Sequence, residues 1–123
     1  MVGQGKITAL VVDDVAEVRS LLRHTLTQLG VEDIDEAANG AECFKKFKPN
    51  KYSIIFLDIE LPDVTGHKVL TSLKNLDENV KVVMVSAHSS IDNVKAAITH
   101  GAEGFVVKPF SIKKIESIIK KVV

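Results

Sequence analysis

The sequence predicts an α/β fold in which helices cover both faces of a parallel sheet. Two observations support this prediction. Short apolar runs alternate along the chain with segments whose apolar residues recur at helical spacing, and short connections join them. The runs at 54–57 and 82–85 are apolar at every position, which is typical of strands buried on both faces. A doubly wound parallel sheet with right-handed crossovers satisfies both patterns.

The first strand is expected over residues 6–12, which are short, apolar and rich in β-branched side chains. Apolar residues then recur at helical spacing over 18–29, and Gly30 stands where such a helix would end. The second strand is expected over 32–37. Acidic residues surround Ile34 there, which indicates a strand at the edge of the sheet.

The other three strands are expected over residues 54–57, 80–85 and 104–107. Four further helices alternate with the strands, because apolar residues recur at helical spacing in each intervening segment. Their apolar positions are, in chain order, Cys43, Phe44 and Phe47; Val69, Leu70 and Leu73; Ile91, Val94, Ala97 and Ile98; and Ile112, Ile115, Ile118 and Ile119. Pro49 and Gly101 are expected to close the second and fourth helices.

The length and composition indicate one domain. We expect a single domain over 1–123 with a loose lead over 1–5, because 123 residues can bury one core but not two. Sixteen basic and sixteen acidic residues cancel, so no long-range field favours nucleic acid or an anionic membrane. Cys43 is the only cysteine, and no apolar run approaches the roughly 20 residues that span a bilayer. We therefore expect a cytoplasmic protein without direct nucleic-acid contact or membrane insertion.

Charged and hydroxyl side chains follow four of the predicted strands. Asp13 and Asp14 follow the first, Asp58 the third, Ser86 the fourth and Lys108 the fifth. Ligands of open α/β sheets bind outside the carboxyl ends of the strands, so these side chains are expected in one crevice. Three carboxylates gathered there repel each other and lose hydration. Mg²⁺ is the expected remedy, because it prefers oxygen ligands and is usually held by one or two carboxylates with water and phosphate oxygens.

This set of residues resembles the receiver domain of two-component response regulators, a family that includes the single-domain chemotaxis response regulator. The matching elements, in order, are Asp13-Asp14, Asp58, Leu61-Pro62 with Gly66, Ser86-Ala87 and Lys108-Pro109. The resemblance covers essentially the whole chain and implies a flavodoxin-like sheet of five parallel strands in the order 2-1-3-4-5. It also implies a signalling domain rather than an enzyme, one that catalyses only its own phosphotransfer and slow autodephosphorylation.

The resemblance assigns the chemistry of the crevice. Asp58 would be the phosphoacceptor, forming an aspartyl-phosphate. Asp14 would bind Mg²⁺ directly and Asp13 directly or through water, while Asp58 and the backbone carbonyl of Glu60 complete the protein ligands. Lys108 would place its ammonium against the phosphoryl oxygens. These roles are expectations that follow from the family pattern.

The resemblance also assigns the residues that respond to phosphorylation. Ser86 would bind a phosphoryl oxygen, and Phe105 occupies the position of an aromatic switch that turns inward when Ser86 moves. The peptide bond before Pro109 is expected to be cis. Glu60 and His88 flank the path of the attacking water, where they would modulate the rate of dephosphorylation and could pair with each other.

Each assignment has a simpler structural alternative. Asp58 could be a turn former, and Asp13 or Asp14 could cap the helix that begins near Val15. Ser86 could bind only local backbone.

Phe105 could likewise be an ordinary half-buried strand residue. For four other residues a purely structural role is the first expectation. Cys43 is expected in the core. His24, His67 and His100 are expected to be solvated, since their spacing matches no metal-binding motif.

The function expected from the resemblance is a switch that takes a phosphoryl group from a sensor histidine kinase. The output is expected to be a protein that docks on the fourth helix, fifth strand and fifth helix. A phosphate sink, a phosphorelay shuttle and a receiver excised from a larger regulator or hybrid kinase remain alternatives. A flavodoxin-like ligand-binding module is more remote, because no Gly-rich phosphate loop follows the first strand. A haloacid-dehalogenase-like phosphatase lacks its Asp-x-Asp signature at that position.

Overall fold

The computed structural model describes residues 6–123, so the expected loose lead over 1–5 lies outside the described residues. Within 6–123, five strands alternate with five helices. The elements are β1 (Thr8–Val12), α1 (Ala16–Gln28), β2 (Asp33–Ala37), α2 (Gly40–Lys46), β3 (Ile54–Leu57), α3 (Gly66–Leu76), β4 (Val82–Ser86), α4 (Ile91–Thr99), β5 (Gly104–Val107) and α5 (Ile112–Val122).

All five strands are parallel and lie in the order β2-β1-β3-β4-β5. The predicted fold class and strand order are therefore confirmed, and β2 is an edge strand as its acidic residues indicated. Val12 pairs with Leu57, and Ser86 pairs with Val107. Because the strands end nearly in register, the residues that follow them lie at one edge of the sheet.

Two hydrophobic clusters separate the faces of the sheet. On one face α2, α3 and α4 pack against the sheet, and their buried residues are Cys43, Val69, Leu70, Leu73 and Ala97. On the other face lie α1 and α5, with buried residues Leu22, Leu26, Ile115, Ile118 and Ile119. The central strand β3 is buried at all four positions, which agrees with its uninterrupted apolar sequence.

Four strand boundaries differ from those expected, two of them by one residue: β2 begins at Asp33 rather than at residue 32, and β4 ends at Ser86 rather than at residue 85. The first strand begins at Thr8 rather than at residue 6. The backbone N–H of Thr8 donates to the Ser53 hydroxyl, and the Thr8 hydroxyl donates to the carbonyl of Lys51. The fourth strand begins at Val82 because Val80 belongs to a turn, its N–H bonded to the carbonyl of Asp77. Among residues 6–123, no helix is long and apolar enough to cross a membrane.

Candidate functional site

The carboxylates expected in one crevice do meet at the carboxyl ends of β1 and β3. The Asp13 N–H donates to the carbonyl of Ala37 and the Asp58 N–H to that of Val12, so each aspartate continues the hydrogen-bonding ladder of the sheet. One carboxylate oxygen each of Asp13, Asp14 and Asp58 lies within 4.8 Å of the others. The ends of two neighbouring central strands therefore bring three carboxylates together.

Two of the three carboxylates are buried. Asp13 is 2 % exposed and Asp58 is 6 % exposed, whereas Asp14 lies on the surface. Burial raises the pKa of Asp13, since water no longer solvates its charged form, and its hydrogen bond to Lys108 only partly opposes this effect. Keeping the Asp13 carboxylate ionised in this buried position therefore costs free energy.

Lys108 neutralises part of this charge. Its Nζ lies 2.5 Å from Oδ2 of Asp13 and 3.0 Å from Oδ2 of Asp58. Burial alone would lower the pKa of Lys108, but the two carboxylates outweigh it and raise the pKa above the ordinary value. The bond between Lys108 and Pro109 is cis, the geometry expected from the sequence, and the Lys108 N–H donates to the carbonyl of Ser86.

The donor set fits a hard divalent cation such as Mg²⁺. It offers carboxylate oxygens at the mouth of an open cleft of about 350 Å³, which leaves room for water and for a phosphoryl group. The cleft is lined by Asp14, Val15, Asp58, Glu60, Leu61, Pro62, Ala87, His88 and Lys108. One lysine cannot balance three carboxylates, so a cation is electrostatically favoured here. Asp13 is not part of this lining.

Ser86 lies beside this cleft rather than in its lining. It is fully buried, and its hydroxyl oxygen accepts a hydrogen bond from the backbone N–H of His88 at 3.1 Å. In this structure Ser86 therefore has the local backbone role that was its structural alternative. Phe105 is half-buried on β5, pairs with Met84 of β4 and packs against the cluster formed with α2, α3 and α4.

A close contact between a histidine and a glutamate connects the two loops at the mouth of the cleft. Nε2 of His88, after β4, lies 2.8 Å from Oε1 of Glu60, after β3. Both side chains are more than half exposed. The backbone N–H of Glu60 also lies 3.4 Å from Oδ1 of Asp58. The pairing of Glu60 with His88 that the sequence suggested is thus present, directly beside the predicted phosphoacceptor.

The helix-capping alternative for the first two aspartates is wrong. Val15 is the N-cap residue of α1, and no side chain caps this helix. Instead, Oδ1 of Asp13 accepts a hydrogen bond from the Val15 N–H at 2.9 Å, which fixes the turn between β1 and α1. Asp13 thus orders the loop through one oxygen and pairs with Lys108 through the other.

Three structural residues around the site have roles that the sequence did not reveal. Gly66 packs so closely that an added Cβ would lie 2.1 Å from the carbonyl oxygen of Asp58. Asp63 accepts hydrogen bonds from the first backbone N–H groups of α2. Arg19 donates to the carbonyl of Asp13 at 2.7 Å and is itself paired with Glu36. No local sequence pattern indicates these contacts, and the contact of Asp63 with Gly40 joins residues 23 positions apart.

The expectation of a solvated His67 is wrong. His67 is half-buried between α3 and α4, with its ring centre 6.2 Å from that of His100. His24 and His100 are exposed as expected, and Cys43 is fully buried as expected. Burial of the Cys43 thiol raises its pKa to about 12, so it is unreactive in the folded protein.

The chain is similar to known proteins both by family model and by sequence. A model described as the response regulator receiver domain matches residues 9–120. The chemotaxis protein CheY of Thermotoga maritima is 35 % identical over 113 residues, which cover 92 % of this chain and 94 % of that protein.

Solved structures give the same result. The CheX–CheY complex of Borrelia burgdorferi with BeF3 and Mg²⁺ contains a chain 33 % identical, with a TM-score of 0.89, and the match covers 94 % of this chain and 88 % of that one. The response regulator TrrA of Thermotoga maritima, in complex with Mg²⁺ and beryllium fluoride, is 32 % identical with a TM-score of 0.85. The match with TrrA covers 95 % of this chain and 99 % of that one.

Proposed function

The chain belongs to the family of response regulator receiver domains, and from that premise we propose that it is a switch phosphorylated on Asp58. The observation that carries the proposal is the meeting of three carboxylates and one lysine at a single edge of the sheet. The match over 9–120 also supports a single receiver domain spanning 1–123. A cytoplasmic location stays a prediction from the sequence.

The proposed reaction transfers a phosphoryl group from a phosphohistidine of a sensor kinase. A carboxylate oxygen of Asp58 attacks phosphorus, the bond between phosphorus and the imidazole nitrogen breaks, and the imidazole leaves with the bonding electrons. The ammonium of Lys108, already 3.0 Å from Asp58, stabilises the charge that develops on the phosphoryl oxygens. The product is an aspartyl-phosphate at residue 58.

Asp13, Asp14, Asp58 and the backbone carbonyl of Glu60 are proposed to hold Mg²⁺. The bound ion supplies charge neutralisation between the carboxylates and the incoming phosphoryl oxygens. Asp13 already has its two oxygens engaged by Lys108 and by the Val15 N–H, which favours a role through water over direct coordination. Asp14 is exposed at the cleft and is the carboxylate most accessible to an entering cation.

The response is proposed to start at Ser86. Its hydroxyl would leave the His88 N–H and bind a phosphoryl oxygen, because an aspartyl-phosphate offers a charged acceptor in place of local backbone. Ser86 pairs with Val107, so a movement of Ser86 would act directly on β5. Phe105, two residues earlier on that strand, would turn inward as the loop moves.

The proposed output surface lies on α4, β5 and α5. Exposed apolar side chains occur on all three elements at the β5 edge of the sheet: Ile91 and Ile98 on α4, Val107 on β5 and Ile112 on α5. Apolar surface of this kind is typical of a docking site for another protein. A related CheY is solved in complex with CheX, which supports a protein partner rather than nucleic acid.

Two alternatives keep the same chemistry. A phosphate sink or a phosphorelay shuttle would also accept a phosphoryl group at Asp58, without signalling through α4, β5 and α5. The exposed apolar side chains on those elements favour the switch. A receiver that is part of a larger regulator would use the same site.

The test of phosphorylation is incubation with a small phosphodonor and Mg²⁺, followed by intact-mass measurement. We expect one added phosphoryl group on the wild type and none on Asp58→Asn. Asp33→Asn, which changes an exposed aspartate at the edge strand, is the matched control and should be labelled like the wild type. Undiminished labelling of Asp58→Asn would show that another residue is the acceptor.

The test of the metal site is a Mg²⁺ titration of Asp14→Ala by calorimetry. We expect a severe loss of affinity with the fold retained, because the change removes one ligand and also relieves repulsion among the carboxylates. Thermal melts without metal provide the control on folding. An affinity equal to that of the wild type would place the metal elsewhere.

A further inference from the structure

One imidazole nitrogen on α3 lacks a hydrogen-bond partner among residues 6–123. The nitrogen is Nδ1 of His67, and it is buried. The other ring nitrogen, Nε2, lies 3.4 Å from Oδ1 of Asn93 on α4. The orientation of the Asn93 amide is fixed, because its Nδ2 donates to the carbonyl of His88 at 3.1 Å. Nε2 of His67 therefore carries the proton, and the buried Nδ1 carries a lone pair without a donor.

A second imidazole near it is also held in one tautomer. His100 is the C-cap residue of α4, and its Nδ1 lies 2.7 Å from the carbonyl oxygen of Ala96. Nδ1 must donate to that oxygen, so Nε2 of His100 carries the lone pair. A ring N–H donated to a carbonyl oxygen is the arrangement that orients histidines which ligate metals.

The two rings are close enough to share one ion. Their centres lie 6.2 Å apart, with the ring planes inclined at 47°. An ion bound to two imidazole nitrogens at ~2.0–2.1 Å holds the ring centres roughly 5–6 Å apart, so the rings must move slightly closer and the His67 ring must turn to bring its buried Nδ1 to the cleft. Both rings line an open cleft of about 360 Å³ that has room for water ligands.

We propose that His67 and His100 form a second metal site, distinct from the carboxylate site, for a divalent transition ion such as Zn²⁺. Nδ1 of His67 and Nε2 of His100 are the protein ligands, and water completes the coordination. Neutral imidazoles select Zn²⁺, Cu²⁺ or Ni²⁺ over Mg²⁺, which prefers oxygen. Lys68 also lines the cleft, so its positive charge keeps the affinity below that of a closed structural site. The bound ion would link α3 to the end of α4.

The test is a Zn²⁺ titration by calorimetry in a saturating excess of Mg²⁺, which occupies the carboxylate site. Wild type is compared with His67→Gln, His100→Gln and the control His24→Gln, which changes an exposed histidine of α1. We expect affinity at least tenfold weaker in each of the first two variants and unchanged in the control. Wild-type affinity in either His67→Gln or His100→Gln would overturn the proposal.

A second measurement guards against a folding defect in His67→Gln, since that side chain is half-buried. We expect Zn²⁺ to raise the melting temperature of the wild type. Its two ligands come from two helices, so the ion binds only the folded state and stabilises it. His100 is exposed, so His100→Gln should melt like the wild type without Zn²⁺ and lose the stabilisation by Zn²⁺. An equal Zn²⁺-induced rise in both proteins would contradict a site that needs both helices.

Discussion

Asp13 is held at the edge of the sheet against the cost of burying its charge. It is 2 % exposed, and burial raises its pKa although Lys108 and the Val15 N–H both bind its oxygens. The charge of nearby Asp58 adds to this effect. The carboxylate site therefore contains repulsion and desolvation that a bound cation would relieve.

The first prediction follows from the direction of this pKa shift. Because the pKa of Asp13 is raised, the folded protein binds its proton more tightly than the unfolded chain does. The stabilising contribution of Asp13 is then fully present below about pH 4 and is lost as pH rises through the folded pKa. We expect Asp13→Asn, which carries no charge, to raise the free energy of unfolding at neutral pH without Mg²⁺ by about 1 kcal/mol.

Urea unfolding of wild type and Asp13→Asn near neutral pH and near pH 4 measures this effect. Asp33→Asn serves as the control, since Asp33 is exposed on β2. The gain should shrink on acidification. A gain of the same size at both pH values would show that desolvated charge is not its cause.

At the scale of elements, the loop between β3 and α3 is tied to the start of α2. Oδ1 of Asp63 accepts from the Gly40 N–H at 2.9 Å, and Oδ2 accepts from the Ala41 N–H at 3.0 Å. These bonds hold the pKa of Asp63 below its ordinary value. The same loop carries Glu60, so this contact helps to position one wall of the cleft.

The second prediction is that Asp63→Ala destabilises the protein in a pH-dependent way. A lowered pKa means that the stabilisation is present above about pH 4 and is lost as pH falls through the folded pKa of Asp63. Amide exchange at Gly40 and Ala41 should also accelerate, because both N–H groups lose their acceptor. Urea unfolding across acidic pH, beside the exposed control Glu78→Ala, measures the first effect. A constant difference at every pH would contradict it.

The third prediction concerns the contact between Glu60 and His88, which joins the two loops. Glu60 and His88 lie 2.8 Å apart beside Asp58, where water must approach an aspartyl-phosphate. Replacing either one with alanine should change the lifetime of the aspartyl-phosphate at least several-fold and leave Mg²⁺ affinity nearly unchanged. If the pair acts as a unit, the double variant should resemble the single variants.

Decay of the phosphorylated protein after removal of the donor measures these lifetimes. The exposed Ser89→Ala, in the same loop as His88, is the matched control. Identical decay constants in wild type, Glu60→Ala and His88→Ala would show that neither side chain governs the attacking water.

The elements were largely predictable, while the contacts between loops were not. A uniformly apolar run such as Ile54–Leu57 indicates a buried strand when it lies in an alternating α/β pattern. The periodicity therefore predicted the helices and strands, and the resemblance predicted the strand order. The contact of Asp63 with Gly40 spans 23 residues and depends on two backbone N–H groups, which have no sequence signature. The burial of His67 arises where α3 meets α4, a packing detail that a single helix pattern does not contain.

At the scale of the whole molecule, the site and the proposed output surface lie along adjoining strands. Lys108 donates its backbone N–H to the carbonyl of Ser86, and Ser86 pairs with Val107. A change at the phosphoryl group therefore has a short covalent and hydrogen-bonded path to β5. A switch also requires two states of similar free energy, of which phosphorylation favours one.

The fourth prediction separates acceptance of the phosphoryl group from its transmission. Ser86→Ala and Lys108→Ala should still accept some phosphate, since neither residue is the nucleophile, but should fail to shift α4, β5 and α5. Backbone chemical shifts before and after phosphorylation measure this response. Thr99→Ala, at the exposed end of α4, is the control and should respond as the wild type does. Equal phosphorylation-induced shifts in the wild type, Ser86→Ala and Lys108→Ala would refute the proposal that these two side chains transmit the change to α4, β5 and α5.

The composition of the site was predictable because parallel strands deliver the residues that follow them to one edge. Asp13, Asp14, Asp58 and Lys108 meet there. The orientation of Ser86 toward the His88 N–H was not predictable, because a hydroxyl can turn between local backbone and a charged partner at little cost. The sequence pattern thus predicted which side chains meet at the site, but not the hydrogen bonds that a hydroxyl makes there.

The most direct test of the central claim is to locate the phosphoryl group on the chain. After brief reaction with a small phosphodonor and Mg²⁺, borohydride reduces an aspartyl-phosphate to homoserine, which marks the acceptor permanently. Peptide mass spectrometry then identifies the modified residue. We expect homoserine at position 58 only when donor and Mg²⁺ are both present. Homoserine at position 13 or 14, or none at position 58 after complete labelling, would contradict it.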